Sequence, residues 1–513
     1  MTYADRKPVI VSLTPVPLSA DSRTLRQVTS VHRFGFKSIV VEGRESLFAA
    51  GTLPFEVISV HPRDNAGGGR MATKDAGEST PPPLIAEART IDGSSGLHSF
   101  ARFVFRYVPG SRRLAYRVVL TMQRVIAERR AAGRVSGRIS TREIIGALPR
   151  TALLLMSHMV ACAAVLVMTP LSFVAARPLA FARHLGRYLH EHFFRVLSVT
   201  PRADLYYLHA FYQFPAVWIL CRWHGAKLIY DAHDFYLHQL DDSGVSSYWK
   251  EWVIPFERFI ERSCIRSAAD VVTVNEGIAN LMRKQFGCEP KTLRNVHDFR
   301  MDGHPAATIR EAIGLPPDAF LVVSIGNYKS GTALEPVLDA LAALPSQVHL
   351  AFLGGSYPVL DEATASRGIG GRVHMMGRVL PQDVVPFVAS ADAAILLYFG
   401  RTPNYPSLLP NGFFQSIAAE LPLVYPDLEQ IKLLAERYKV GIMADPQNAA
   451  AIEAALLTLF EDGERRAAFR RNLRVAGHEL CWEREEQILK RLLDLHLHTE
   501  ATSISTVKGK VAG

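Results

Sequence analysis

Short β-branched runs recur along this chain with helix-length segments between them, and that alternation restricts the fold more than any other feature. Residues 9–13 form one such run, followed by a loop with Pro15, Pro17 and Ser19, a helical pattern over 22–34, Gly35 and a second run at 38–41. A strand, a helix and a strand in that order read as a crossover between parallel strands. Residues 55–60 give a third strand, and strand signals resume at 204–208, 227–230 and 271–274. A second alternating unit covers 320–325, 348–353, 373–376, 393–397 and 423–425. With 513 residues and 48% hydrophobic side chains, the chain exceeds one ordinary core. The expectation is an α/β protein of two doubly wound parallel-sheet domains, joined by a linker at 295–305.

Between 63 and 200 the pattern lapses. Residues 63–83 are rich in Gly, Asp and Ser and end in three consecutive prolines, which reads as linker. From Arg102 to Arg195 there are sixteen arginines, no lysine, and only Glu128, Glu143 and Glu191 to oppose them. Inside this cationic zone lies the apolar run 151–176, long enough to cross a bilayer. A single crossing would put strands of one sheet on opposite sides of the membrane. A return span through 171–196 would carry Arg177, Arg183, His184 and Arg187, each arginine costing about 3 kcal/mol at mid-bilayer. Monotopic attachment to an anionic membrane surface is therefore preferred, with a buried helical hairpin as the alternative. The five cysteines are widely spaced and show no CxxC pairing, so neither a zinc site nor a disulfide framework is indicated. The opening MTYADRKPVIVSL reads as a first strand rather than a signal peptide. The expected location is the cytoplasmic face of the cell membrane.

The stretch LPNGFFQSIAAEL at 409–421 carries the clearest chemical signal. Asn411 reads as an N-cap and Gly412 leaves the helix start bare, so free N–H groups and the helix dipole could meet a diphosphate. This stretch, continued as PLVYPD, resembles the donor-binding segment of family 4 glycosyltransferases. LSADSRTLRQVTSVHRFGFKSIVV, ADLYYLHAFYQFPA, AKLIYDAHDFY, SAADVVTVNEGIANLM, LRNV, VVSIGNYKSG, VHMMGRV and WEREEQILKRLL agree with that family in order and spacing. The resemblance covers both domains and omits the insertion and the tail.

It implies a GT-B fold of two Rossmann-like domains facing a cleft: an acceptor-side domain over 1–300, interrupted by the 63–200 insertion, and a nucleotide-sugar domain over 301–480. A helix at 481–498 is expected to return to the first domain, ahead of a flexible tail at 499–513. The implied activity is retaining, metal-independent transfer from a UDP- or GDP-linked sugar, with no bound cofactor, to a lipid-linked or glycan acceptor in polysaccharide biosynthesis. No nucleic-acid partner is expected. Donor binding would fall to Asn411, Gly412, Phe413, Gln415, Gly326 and Arg378, with Lys329 contacting the leaving phosphate and Arg378 or Arg401 as its partner. On the acceptor side, His209, His233 and Asp234 are the catalytic candidates, His233 with Asp234 orienting a hydroxyl or serving as general base. Asp21 and Arg23 offer either an acceptor contact or a helix cap and its neighbour. The chain departs from the family where Lys is replaced by Gly412, the ribose-binding Glu by Gln415, an acid by Ser407, and Gly by Glu420. The departures at Gly412 and Gln415 motivate an alternative, a catalytically silent GT-B partner in a glycan assembly complex.

Overall fold

The computed structural model describes residues 6–46, 48, 51–61, 176–236, 248–328, 331–355, 357, 360–400 and 404–497. The apolar run up to residue 175, Lys329, Arg401 and the tail at 499–513 lie outside them.

The first sheet is built from β1 (Val9–Thr14), β2 (Lys37–Glu42), β3 (Glu56–Ser59), β4 (Leu205–His209), β5 (Lys227–Ala232), β6 (Asp270–Thr273) and β7 (Lys291–Thr292). All are parallel, in the order β3-β2-β1-β4-β5-β6-β7. The order reverses between β1 and β4, where the carboxyl ends of neighbouring strands feed helices on opposite faces and leave a crevice. The second sheet repeats the plan with β8 (Phe320–Ile325), β9 (Val348–Leu353), β10 (Val373–Gly377), β11 (Ala393–Ile395), β12 (Leu423–Tyr425) and β13 (Gly441–Met443), in the order β10-β9-β8-β11-β12-β13. Both sheets are covered on both faces, which is why their strands are almost continuously apolar.

One face of the first sheet presents Val11, Leu13, Tyr206, Leu208 and Tyr230 to Val217 and Leu220 of the Phe214–His224 helix and to Ile260 and Cys264 of the Ile254–Ser267 helix. Tyr188 and Val196, from the end of the segment counted as insertion, join the same core. The opposite face, with Ile10, Leu205, Tyr207 and Ile229, packs against Val31 of the Ser22–Arg33 helix and belongs to a core that also holds Leu489 and Leu493 of the Trp482–Leu497 helix. That core continues into the second domain through Leu321, Val323 and Phe413.

The chain crosses between the domains twice. It leaves the first near His297 and returns at Cys481, where the two crossings pair as a parallel bridge and Trp482 N–H donates to His297 O at 2.8 Å. The fully buried Trp482 donates its indole N–H to Ser30 Oγ at 2.8 Å. Glu486 accepts from Ser30 Oγ at 2.8 Å, Arg33 at 2.6 Å and Arg300 at 2.7 Å.

Candidate active site

The carboxyl ends of β1, β4 and β5 carry Thr14, His209 and Asp231 to one place. The parallel register pairs His209 directly with Asp231. Immediately after β4, Ala210 takes a positive φ of 78°, which turns the chain sharply away from the sheet. Asp231 is fully buried and is gripped by Arg23, whose Nε and Nη2 lie 3.0 and 2.8 Å from its two oxygens, and by Gln27 Nε2 at 2.6 Å. Arg23 and Gln27 are one helical turn apart on the Ser22–Arg33 helix, so both side chains reach the same carboxylate. Arg23 also donates to Leu293 O at 2.7 Å.

The imidazoles complete the cluster. His209 Nδ1 lies 3.1 Å from His233 Nε2, and the two rings stand 3.5 and 3.4 Å from Asp231 Oδ2. His233 Nδ1 is 4.0 Å from Asp21. Asp21 in turn caps the Ser22–Arg33 helix by accepting from Thr24 N at 3.0 Å, and accepts from Thr24 Oγ1 at 2.6 Å and Thr14 Oγ1 at 3.1 Å. Burial would raise Asp231, but Arg23 and the two imidazoles hold it well below the usual carboxylate range. Burial would likewise raise Asp21, yet His233 and His209 keep it low. His209 is pushed down by burial, whereas in His233 the same effect is overcome by Asp21 and Asp231 and the ring is raised. The cluster therefore holds two carboxylates, the Arg23 guanidinium and two imidazoles shifted in opposite directions, His209 toward its neutral form and His233 toward its protonated one. His233 is the ring with access to the cleft, its side chain being 19% exposed.

His209, Asp231 and His233 lie close enough together to suggest three ligands for one metal ion. The donor set fits such an ion poorly. Both Asp231 oxygens already accept from Arg23, and a cation would sit against that guanidinium and displace the proton that His233 favours.

The second sheet faces this cluster with a different surface. Gly326, just past β8, has φ of +136°, and a Cβ on Gly354 would come within 2.3 Å of its carbonyl. Only glycine permits that approach. Asn327 Oδ1 accepts from Gly355 N at 2.7 Å, and Arg378, following β10, lays its guanidinium beside Gly355. The Asn411–Ala418 helix starts against the end of β8, so close that a Cβ on Gly412 would lie 2.5 Å from Ile325 O. Gln415 is half-buried on this helix.

Three expectations need correction. Pro410, with extended backbone, occupies the cap position, and Asn411 is the first helical residue, its side-chain oxygen accepting from Asn295 instead. Phe413 is fully buried in the core and its N–H donates to Pro410 O, so neither ring nor amide is offered to a ligand. His233 is oriented by His209, Asp231 and Asp21, while Asp234 is exposed at the rim. Asp231, Gln27, Asn295, Asn327 and Gly355 were not singled out from sequence as site residues, although the spacing of Arg23 and Gln27 already places them on one helical face.

The domains also meet beyond the hinge. Asn275 donates to Ser407 O at 2.9 Å, Asn404 donates to Phe235 O at 2.8 Å, and a Cβ on Gly277 would lie 2.8 Å from Ser407 Oγ. Arg26 reaches Asn295, which reaches Asn411. Two doubly wound domains whose strand ends confront each other across a cleft, joined by a double crossing, define the GT-B class.

Within that class, residues 319–462 match the family model described as "Glycosyl transferases group 1", and residues 123–297 match the "Glycosyl transferase 4-like domain". The chain belongs to the family 4 glycosyltransferases. It is 26% identical over 191 residues to the lipopolysaccharide core biosynthesis glycosyltransferase LpsE of Rhizobium meliloti, a match covering 37% of this chain and 52% of that protein. The chain thus spans about half the length of that relative. Its fold is similar to that of sucrose-phosphate synthase from Thermosynechococcus elongatus, with a TM-score of 0.54 at 13% identity over 96% of this chain and 99% of the other. It is also similar to Anabaena HepE in complex with UDP, with a TM-score of 0.52 at 13% identity over 95% and 100% of the two chains.

Proposed function

We propose that the protein transfers a sugar, with retention, from a UDP- or GDP-linked donor to a membrane-held, lipid-linked acceptor during assembly of a surface polysaccharide. The observation that carries this reading is the charge pattern of the first-domain cluster. Asp21 and Asp231 flank His233 at 4.0 and 3.4 Å at the mouth of the cleft and favour its protonated form, in the domain that faces the cradle of Gly326, Asn327, Gly355 and Arg378. A protonated imidazole donates a hydrogen bond to a sugar or phosphate oxygen and stabilises negative charge; it does not accept a proton as a general base. Arg378 and the amino end of the Asn411–Ala418 helix supply further positive potential for a diphosphate. With that charge compensation from the protein itself, transfer is expected to survive EDTA.

Thermal shift of the purified chain with UDP, GDP and their sugars tests the reading. A ligand present at about 100 times its dissociation constant stabilises the fold by about 2.7 kcal/mol. Arg378→Ala should weaken the shift, and His233→Ala should lower kcat by roughly tenfold to a thousandfold on the scale of losing one transition-state donor. Absence of any nucleotide shift would favour the second reading, a silent partner protein. That alternative draws on Gly412 and Gln415, which by the resemblance stand where the family has Lys and the ribose-binding Glu, Gly412 serving here for close packing against Ile325 O.

A further inference from the structure

The two helices covering the outer side of the first sheet segregate their charges. In the Ile254–Ser267 helix both glutamates point inward, Glu257 being 6% and Glu261 0% exposed. Arg258, Arg262 and Arg266 are all exposed, with Phe259 among them at 67%. The Phe214–His224 helix contains no acidic residue. It exposes Trp218 at 40%, Trp223 at 66% and Arg222, whose guanidinium sits 4.4 Å over the Trp218 ring. These helices touch each other and bury their inner sides in the same core, so their outer sides face the same way.

A solvated helix face ordinarily mixes charges of both signs and keeps large aromatics inside. Here both acids of the Ile254–Ser267 helix have been withdrawn, Glu251 and Lys250 in the turn before it being exposed as a pair of opposite sign, and the aromatics pushed out. A nucleic-acid duplex would account for the arginines but leave three projecting rings without a contact, and a single strand would need those rings aligned along one groove rather than spread over two helices. A second copy of the same face would bring like charges together. Indole and phenyl rings at the headgroup level, with arginines on lipid phosphates, are what a membrane interface selects. The Ala176–Tyr188 helix, which follows the apolar run in sequence, docks on this side through Phe181, 5.5 Å from Trp252 and 5.7 Å from Phe256. We propose that Trp218, Trp223, Phe259 and the four surrounding arginines form a docking face for an anionic lipid bilayer. The inference deepens the membrane-held acceptor of the proposed function by naming where the described part of the molecule meets the lipid. The Phe214–His224 helix begins five residues after His209 and runs back along the sheet to His224, which bonds Tyr206 Oη near the start of β4, so the docked face lies along the flank of the first domain.

The full-length protein is sedimented with phosphatidylcholine vesicles, with and without phosphatidylglycerol. Each arginine at an anionic surface contributes about fivefold to partitioning, so Arg258→Gln/Arg262→Gln/Arg266→Gln should lower binding to the anionic vesicles roughly a hundredfold. Because the apolar run could hold the protein on vesicles by itself, fluorescence quenching by brominated lipid gives a local readout. Bound wild type should lose part of its tryptophan emission, and Trp218→Phe/Trp223→Phe should lack that quenched component. Equal quenching in the two proteins, undiminished quenching of the arginine variant on anionic vesicles, or an aromatic-to-serine variant that dissociates a dimer would each overturn the proposal. The thermal shift with UDP, GDP and their sugars is measured on the same samples without vesicles. If wild type is shifted by no nucleotide yet is quenched, the docking face stands and the transferase reading falls.

Discussion

Gly412 stands where the family resemblance places a lysine, and the local geometry leaves no room for a side chain. Any Cβ there would meet Ile325 O at 2.5 Å and Leu396 Cδ2 at 3.2 Å. Gly412→Lys is therefore expected to push the Asn411–Ala418 helix off β8 and destabilise the fold by about 1–3 kcal/mol, as overpacked sites do, without a gain in nucleotide affinity. A melting curve with and without UDP distinguishes this from a restored ligand. Glu420 gives the opposite case, because it stands where the family has glycine and adopts φ of 55°. Glu420→Gly relieves a left-handed conformation costing about 1 kcal/mol and gives up only an exposed bridge to Arg474, worth little. The variant should melt higher than wild type. Residues of this kind were partly legible in the sequence. His209 and His233 stood out because each follows a strand signal, but their common partner Asp231 depends on which strands are neighbours and in what register. Asn411 looked like a cap because its residue type favours one. Type alone could not show that Pro410 already had the extended backbone and that Asn295 had claimed the amide.

The Ile254–Ser267 helix makes a prediction about pH. Burial pushes Glu257 up to about 8 and Glu261 up to about 7, Glu261 also accepting from Tyr230 Oη at 2.9 Å. Around them Tyr188, Tyr212, Tyr230, Tyr236 and Cys264 are all pushed upward and stay neutral through this range. Because the folded pKa values lie above the usual 4.5, the folded state binds protons that the unfolded chain has released. Stability from this pair is full below that usual value and declines as pH rises toward 8, at about 1.4 kcal/mol per unit for each group still protonated only when folded. His233 contributes in the same direction, so the diagnostic is a difference. Glu257→Gln, with no proton to lose, should flatten the fall in melting temperature between pH 5 and 9 relative to wild type. Equal slopes would show that Glu257 ionises normally. The inward orientation of these acids was not read from sequence, where FERFIERS offers charged residues on every side and the helix's cover over Tyr230 is a tertiary fact.

Across the whole molecule, the strand and helix alternation was enough to anticipate two parallel sheets and the neighbourhood of their linker, because buried parallel strands leave an apolar imprint that tolerates little else. The sequence was less informative about the end of the insertion, where aromatic residues such as Tyr188 join the first domain's core under the cover of the surrounding arginines. The double crossing also affects the order in which the protein can take shape during synthesis. Domains usually form in the order in which they leave the ribosome, but the first domain here lacks part of its core until Trp482, Leu489 and Leu493 have been made. The second domain, whose sheet closes at β13, should be the earlier of the two to resist protease on stalled nascent chains. Chains released after truncation at residue 480 should carry a protected second domain and a first domain still open to cleavage. The first domain, although translated before the second, would thus be the later of the two to settle, waiting for the Trp482–Leu497 helix.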